Sequence, residues 1–170
     1  MKRKKSANYV FNGNAAAAAL LSALVAFALF LPVTATAQST AARLDRITDA
    51  AELDYANAAY LAMAASGRLH ADGDPDDALA ALVDSGFTSP DDPGAALSLG
   101  EFSHMLMIAF DRPGGLLYRV FPGPRYAQRE LAHERVLRND GNPGDTLSGT
   151  RALRIIGRLL TITEAEGGAL

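Results

Sequence analysis

Residues 97–110 read Leu97-Ser98-Leu99-Gly100-Glu101-Phe102-Ser103-His104-Met105-Leu106-Met107-Ile108-Ala109-Phe110 and carry clear signals of a helix start. Ser98 and Glu101 have the spacing of a capping box, in which each side chain hydrogen-bonds the other residue's backbone N–H at a helix start. Leu97 and Phe102 have the spacing of the hydrophobic staple that accompanies such a box. Apolar residues then recur every three or four positions, at Phe102, Met105, Leu106, Ala109 and Phe110. The stretch therefore predicts a helix that begins after Ser98 and buries one face.

Two more helices are predicted on the amino-terminal side of this stretch. Asp74 is a good N-cap, Pro75 suits the first helical position, and Gly86 suits a left-handed helix end. An alanine-rich helix is predicted before it, from about Asp49 or Asp54 to Ser66. Its apolar residues recur at intervals of three and four, so it too has one buried face.

The carboxyl-terminal side predicts a loop and two helices. The loop, residues 116–123, is rich in apolar and aromatic residues, and Pro124 then opens a helix that runs to about Leu137. A turn cluster follows at 139–144, and Ser148 caps the last helix. Strand signals are scarce throughout, so the sequence predicts an all-α fold of about five helices.

The amino terminus has the layout of a secretory signal peptide. The basic run Met1-Lys2-Arg3-Lys4-Lys5 precedes an uncharged apolar run from Ala15 to Leu31, and Ala35-Thr36-Ala37 follows. The apolar run is close to the shortest length that spans a bilayer, about 17 residues, so an uncleaved anchor is the alternative. We expect residues 1–37 to be the signal peptide, 38–163 the helical domain and 164–170 a frayed tail, with a periplasmic or secreted product.

The composition of the exported part restricts its partners. It contains no cysteine, so disulfides, thiolate metal sites and cysteine nucleophiles are excluded. Residues 38–111 contain 13 acidic residues against three arginines, whereas residues 112–170 contain nine arginines against six acidic residues. The acidic front half argues against nucleic acid as a partner. Beyond the signal segment we expect no membrane partner.

A weak internal repeat connects the two halves of the predicted domain. Residues 78–110 and 127–160 each read as a helix, a Gly- or Asp-rich loop and a capped helix, and Leu97-Ser98 matches Leu147-Ser148. We therefore expect two helix-loop-helix repeats preceded by the alanine-rich helix, because such a unit buries its apolar face only on a neighbour.

The repeat resembles S-layer homology repeats, whose second helix opens with a Thr-Arg-Ala-Glu-like signature. Leu147-Ser148-Gly149-Thr150-Arg151-Ala152-Leu153 comes near to that signature. The resemblance covers residues 74–161 and implies non-covalent attachment to cell-wall polymer. The exported chain as a whole is also similar to small exported proteins of spirochaetes that have no known activity.

Two Glu-x-x-His motifs, Glu101 with His104 and Glu130 with His133, are half of the ligand set of a ferritin-like di-iron site. The other half requires a glutamate from each of two further helices, and the first two helices offer only Glu52. We therefore interpret the motifs as ordinary solvated pairs on helix surfaces. No metal or other cofactor is expected.

The remaining signatures of calcium binding and catalysis are incomplete. Residues 72–77 look like the start of an EF-hand, but the sixth and twelfth positions hold Asp77 and Val83 instead of Gly and Glu. The chain has no Gly-x-Ser-x-Gly turn for a serine nucleophile, and Gly114-Gly115 is followed by no lysine. We expect a protein without catalytic residues.

The best candidate for a binding surface is the segment from Arg112 to Arg129, because Arg and Tyr are enriched at interface hot spots. Within it, we expect Leu117 and Phe121 to pack into the core and Tyr118, Arg119 and Arg125 to contact a partner. The candidate binding residues, including the arginine of the repeat signature, are Arg112, Tyr118, Arg119, Arg125, Tyr126, Arg129 and Arg151. The sequence thus predicts a non-catalytic interaction or scaffold module for an envelope protein; the alternative is a module that binds cell-wall polymer.

Overall fold

The computed structural model describes residues 31–88, 90–138 and 141–167, with side chains from residue 39 onwards. The chain divides into two compact units, Met1–Ser39 and Thr40–Leu170. The described residues form seven helices and no named strand, which confirms the all-α prediction. The prediction of about five helices is wrong, because two further helices are present. Most of the predicted signal peptide, residues 1–30, lies outside the described residues.

The helices, numbered here in chain order, are α1 (Leu31–Asp49), α2 (Tyr55–Ala65), α3 (Pro75–Asp84), α4 (Leu99–Ala109), α5 (Leu116–Val120), α6 (Pro124–His133) and α7 (Gly149–Gly167). The two additional helices are α1, which covers the predicted signal cleavage site, and α5, which lies in the predicted loop. None of the helices in the described ranges has both the length and the apolar composition needed to span a bilayer.

The predicted helix boundaries are largely confirmed where local chemistry sets them. Asp74 accepts a hydrogen bond from the Asp76 backbone N–H at 2.8 Å, so it caps α3. Both bonds of the capping box at Ser98 and Glu101 are present at the start of α4. Gly86 has a φ of +102°, the left-handed conformation expected after α3. Capping interactions and left-handed glycines depend on only a few neighbouring residues, so these helix boundaries can be predicted without knowledge of the tertiary fold.

The core lies between α4 and the helices around it. α4 packs against α6 and also contacts α2 and α3, while α2 packs against α3 and reaches α7. Phe102, Met105 and Leu106 of α4 are fully buried, as their spacing predicts. Burial of each such side chain stabilises the fold by about 1.5–3 kcal/mol relative to exposure. α4 is therefore the element around which the others assemble.

Three short segments that precede α2, α4 and α7 are joined by backbone hydrogen bonds. The Leu53 N–H donates to the Leu147 carbonyl at 2.7 Å, and the Leu97 N–H donates to the Leu53 carbonyl at 2.9 Å. The three leucine side chains are buried together with the core. Each precedes the residue that caps a helix, so this junction fixes the starting points of three helices at once.

The end of α1 meets the beginning of α7. The Gly149 N–H donates to the Ala50 carbonyl at 3.0 Å, and the Thr150 hydroxyl donates to the Thr48 carbonyl at 2.9 Å. Donors at the start of one helix thus pair with carbonyls at the end of another, which satisfies two of the carbonyl groups at the end of α1. α7 then continues to Gly167, so residues 164–167 of the predicted tail are helical, and residues 168–170 lie outside the described part.

Candidate functional site

The segment predicted to be a binding surface contains the short helix α5, and its backbone direction is set by Gly114. This glycine has a φ of +59°, and a Cβ placed on it would lie 2.7 Å from the Tyr118 ring and 3.0 Å from the Met107 methyl group. A larger residue would therefore be strained both by its backbone and by its neighbours. The glycine lets the chain turn tightly out of α4 and bring α5 against α6.

Four apolar side chains of this segment are exposed to solvent. Leu116 is 77% exposed, Leu117 56%, Val120 57% and Phe121 59%. The expectation that Leu117 and Phe121 pack into the core is therefore wrong. α5 has only five residues and turns a single side chain, Tyr118, toward the protein. Most single exposed apolar residues need no explanation, but an exposed apolar cluster marks an interaction surface.

Tyr118, which we expected at the surface, is buried instead. It is 7% exposed, and its hydroxyl forms a hydrogen bond of 2.9 Å with His104 Nδ1 on α4. Burial raises the pKa of Tyr118 to about 12 and lowers the pKa of His104, so both groups are neutral near pH 7. The tyrosine anchors α5 to α4 and holds the exposed apolar residues in place above it.

Arg112 is likewise occupied inside the protein. Its guanidinium contacts Glu134 at 3.1 Å and Glu166 at 3.2 Å, which ties the end of α4 to α6 and α7. Burial alone would lower the pKa of Arg112, but the two carboxylates outweigh it and the pKa lies above its ordinary value. The predicted binding residue Arg112 thus has a structural contact that explains it.

The other arginines of the segment lie on α5 and on α6, the two helices that contact each other here. Arg119, Arg125 and Arg129 are exposed, and none lies within 4.0 Å of a carboxylate belonging to the described residues. Phe121 stacks on Tyr126 with ring centroids 6.2 Å apart. We call this surface the α5 patch; it consists of Leu116, Leu117, Val120, Phe121 and Tyr126 with Arg119, Arg125 and Arg129.

A cleft of about 330 Å³ lies beside the loop that joins α5 to α6. Tyr55, Phe87, Glu101 and His104 line it on one side, and Pro122 and Pro124 on the other. The Tyr55 hydroxyl donates to Glu101 at 2.6 Å, and the phenol's pKa is raised by burial and by that carboxylate. The sequence indicated Glu101 as a cap, but it gave no sign that Tyr55, far away along the chain, would meet it.

Glu101 is held by several donors at once. Besides Tyr55, the Ser98 backbone N–H and the Ser98 hydroxyl each donate to it at 2.7 Å. Burial raises the pKa of Glu101, but these hydrogen bonds outweigh burial and lower it. A carboxylate this well satisfied is a poor proton acceptor, so the cleft lacks a free general base at this position.

Glu101 and His104 do not form the solvated pair that the sequence predicts. Glu101 is in the capping box, and His104 is half-buried between Phe87 and Tyr118. In the second motif, Glu130 lies against Gly115 at the start of α5, and His133 is exposed. Within 31–88, 90–138 and 141–167, no group of three or more His, Asp or Glu side chains has the geometry to hold a metal ion.

Arg151, the arginine of the repeat signature, lies away from α5 at the beginning of α7. Its guanidinium lies against Gly141, and it lines a small pocket of about 40 Å³. Three further arginines, Arg138, Arg154 and Arg158, line the same pocket. Of the predicted binding residues, four belong to the α5 patch, Arg151 lies in this arginine pocket, and Arg112 and Tyr118 make contacts within the protein.

The comparisons with known proteins leave this geometry as the basis for any functional proposal. No protein-family model, no curated protein and no solved structure matches the chain.

Proposed function

We propose that this protein is a non-catalytic, exported helical interaction module that acts in the periplasm or outside the cell and binds its partner through the α5 patch. The observation that carries the proposal is the exposure of four large apolar side chains, three on the short helix α5 and the fourth, Phe121, directly after it. Exposed apolar clusters rimmed by polar residues mark interaction sites on soluble proteins. The signal-like amino terminus supports export.

The contacts that fix the position of α5 support its role as a binding surface. Tyr118 and its hydrogen bond to His104 fix the helix from below, and the stacking of Phe121 on Tyr126 orders its far end. An ordered surface loses less conformational entropy on binding than a mobile one. The same contacts leave the apolar residues directed outward, where they contribute no core packing.

The state of the neighbouring cleft supports a non-catalytic role. Glu101, Tyr55 and His104 are the titratable groups that line it together with Asp91. Glu101 and Tyr55 are hydrogen-bonded to each other, and His104 is hydrogen-bonded to Tyr118. Burial raises the pKa of Tyr55 and lowers the pKa of His104, so it favours the neutral form of both groups. The carboxylate that accepts from the Tyr55 hydroxyl also accepts two hydrogen bonds from Ser98, and its lowered pKa makes it a poor base for activating that hydroxyl.

The proposal is tested with Leu117→Asp, which places a charge in the centre of the α5 patch. Because Leu117 is 56% exposed, the variant is expected to keep the melting temperature of the parent protein while losing its envelope partner in affinity capture. Leu44→Asp is the matched control, since Leu44 is 37% exposed and lies on α1 outside the patch. Equal recovery of partners by both variants contradicts the proposal.

The alternative is a cell-wall polymer-binding module of the S-layer homology type. The junction of Leu53, Leu97 and Leu147 favours this alternative. The helices α2, α4 and α7 all begin directly after this junction, and each of them follows a helix and a loop. We propose that these are three helix-loop-helix units, α1–α2, α3–α4 and α6–α7. The first was not recognised in the sequence, since Asp54 replaces the capping serine of the other two.

This alternative predicts sedimentation with purified, protein-free cell wall. Arg151→Ala is expected to lose it, because Arg151 holds the signature position of the resemblance. Arg46→Ala serves as the control, as Arg46 is an exposed arginine on α1. If neither the wild type nor Arg46→Ala sediments with the cell wall, wall binding is excluded and the α5 patch remains the proposed site.

A further inference from the structure

The chemistry of the α5 patch indicates what kind of partner it contacts. We propose that the α5 patch docks on the surface of an anionic lipid bilayer, with its apolar side chains entering the headgroup region and its arginines contacting lipid phosphates. This proposal rests on the proposed function, because it names the partner of the same surface. It departs from the sequence-based expectation of no membrane partner.

The apolar part of the patch has the composition of a segment that enters a membrane interface. Leu116, Leu117, Val120 and Phe121 provide aliphatic and aromatic surface, and Leu116 protrudes so far that 77% of it is exposed. Tyr126, stacked on Phe121, is of the residue type found at the headgroup level. A bilayer accepts protruding side chains without a complementary pocket, whereas a protein partner must provide a matching cavity.

The charges around the patch match an anionic surface. The sequence from Arg112 to Arg129 contains four arginines and no acidic residue, and among the described residues Arg112 alone of the four has an ion pair. Arg119, Arg125 and Arg129 therefore remain available, and guanidinium groups bind phosphate oxygens through two parallel hydrogen bonds. Each basic residue near an anionic membrane raises binding about fivefold.

Two carboxylates that follow the segment along the chain have contacts within the protein. The Glu130 carboxylate lies against Gly115 at the start of α5, and Glu134 is paired with Arg112 at 3.1 Å. The acidic residues of the chain are concentrated before position 112, outside this segment. The segment that carries the exposed apolar residues is thus basic.

The absence of tryptophan from the sequence allows a direct test. Phe121→Trp introduces a single indole into the patch, and its fluorescence is recorded with vesicles of phosphatidylglycerol and phosphatidylcholine. The protein is the form recovered from the cell envelope. We expect a shift of emission to shorter wavelength and quenching by brominated acyl chains with anionic vesicles, and neither with vesicles of phosphatidylcholine alone.

The matched control is Ala80→Trp, which places the indole at an exposed position on α3 among acidic residues. Because an indole reports only its own surroundings, this control shows whether the change in emission depends on placing the indole in the α5 patch. Its emission is expected to stay unchanged. Adding Arg119→Gln to Phe121→Trp should weaken vesicle binding about fivefold, and raising the salt concentration should weaken it as well.

Two results overturn the lipid proposal. One is an emission spectrum of Phe121→Trp that anionic vesicles leave unchanged, and the other is the same shift in Ala80→Trp. If Leu117→Asp still loses an envelope protein while vesicles have no effect, the partner is an acidic protein and only the lipid proposal fails. If Leu117→Asp also keeps every partner, the proposed function fails with it.

Discussion

His104 is the residue whose environment differs most from what its sequence position suggested. An i,i+3 partner of Glu101 on an exposed face would be solvated, yet the imidazole is half-buried between Phe87 and Tyr118. Its neighbours come from the segment after α3 and from α5, so no local pattern around position 104 contains this information. Burial lowers its pKa from the ordinary value of 6.5.

This shift predicts how stability depends on pH. Because the folded-state pKa of His104 is the lower one, the unfolded chain binds a proton below pH 6.5 that the folded chain does not. The free energy of unfolding is therefore complete above pH 6.5 and decreases as the pH falls toward the folded-state pKa. Glu101, whose pKa is also lowered, adds a separate loss only below about 4.5.

Urea denaturation at pH 8, 7, 6 and 5 measures the effect. His104→Gln keeps a polar group beside Tyr118 and should reduce the loss of stability between pH 6.5 and 5. An unchanged loss in the variant would show that His104 is not the group responsible.

Tyr118 is buried and Leu117 is exposed, the reverse of what the sequence predicts, and this orientation gives a second prediction at the scale of residues. Tyr118→Ala removes a buried ring and leaves His104 without its partner, so it should cost about 3–5 kcal/mol of unfolding free energy. Leu117→Ala changes an exposed side chain and should stay within about 0.5 kcal/mol of the parent. Equal effects of the two substitutions on denaturant unfolding would contradict the orientation of α5.

Among the elements, those with strong local signals could be predicted and those oriented by tertiary contacts could not. The N-caps at Asp74 and Ser98 and the left-handed Gly86 follow from chemistry within three or four residues. α5 was missed because a single helical turn has too few residues for a readable period. The side chain that α5 buries is decided by the position of α4, which lies outside the segment itself.

The contact between α1 and α7 provides a prediction at the scale of elements. A Cβ on Gly149 would overlap the Ile47 carbonyl oxygen, whereas a Cβ on Gly157, later in the same helix, meets nothing within 4 Å. Gly149→Ala should therefore destabilise the protein by about 1–3 kcal/mol. Gly157→Ala should stabilise it by about 0.5–1 kcal/mol, because alanine favours the helix.

Thermal unfolding of both variants separates packing from helix propensity, since the residue change is the same at the two positions. A gain in melting temperature for Gly149→Ala would mean that α1 does not approach α7 as described.

At the scale of the whole molecule, the structure shows where the arginines of the basic second half lie. The arginine-rich second half contributes the α5 patch and the pocket of Arg138, Arg151, Arg154 and Arg158. Arg119 and Arg125 are exposed as the sequence predicts, whereas Tyr118 is buried and Leu117 is exposed, because the orientation of these two side chains depends on how α5 lies on α4. Composition therefore indicates which segment carries exposed arginines, but it does not indicate which side chains of α5 face the protein.

We propose that this protein contacts its partner through the α5 patch, and site-specific crosslinking tests this directly. The chain has no cysteine, so Leu117→Cys and Leu44→Cys each carry one thiol for a photoactivatable crosslinker. Labelled protein is returned to intact envelope, irradiated and identified by mass spectrometry. We predict lipid or protein adducts from position 117 and none above background from position 44. Equal adducts at the two positions, or none at position 117, would contradict the account.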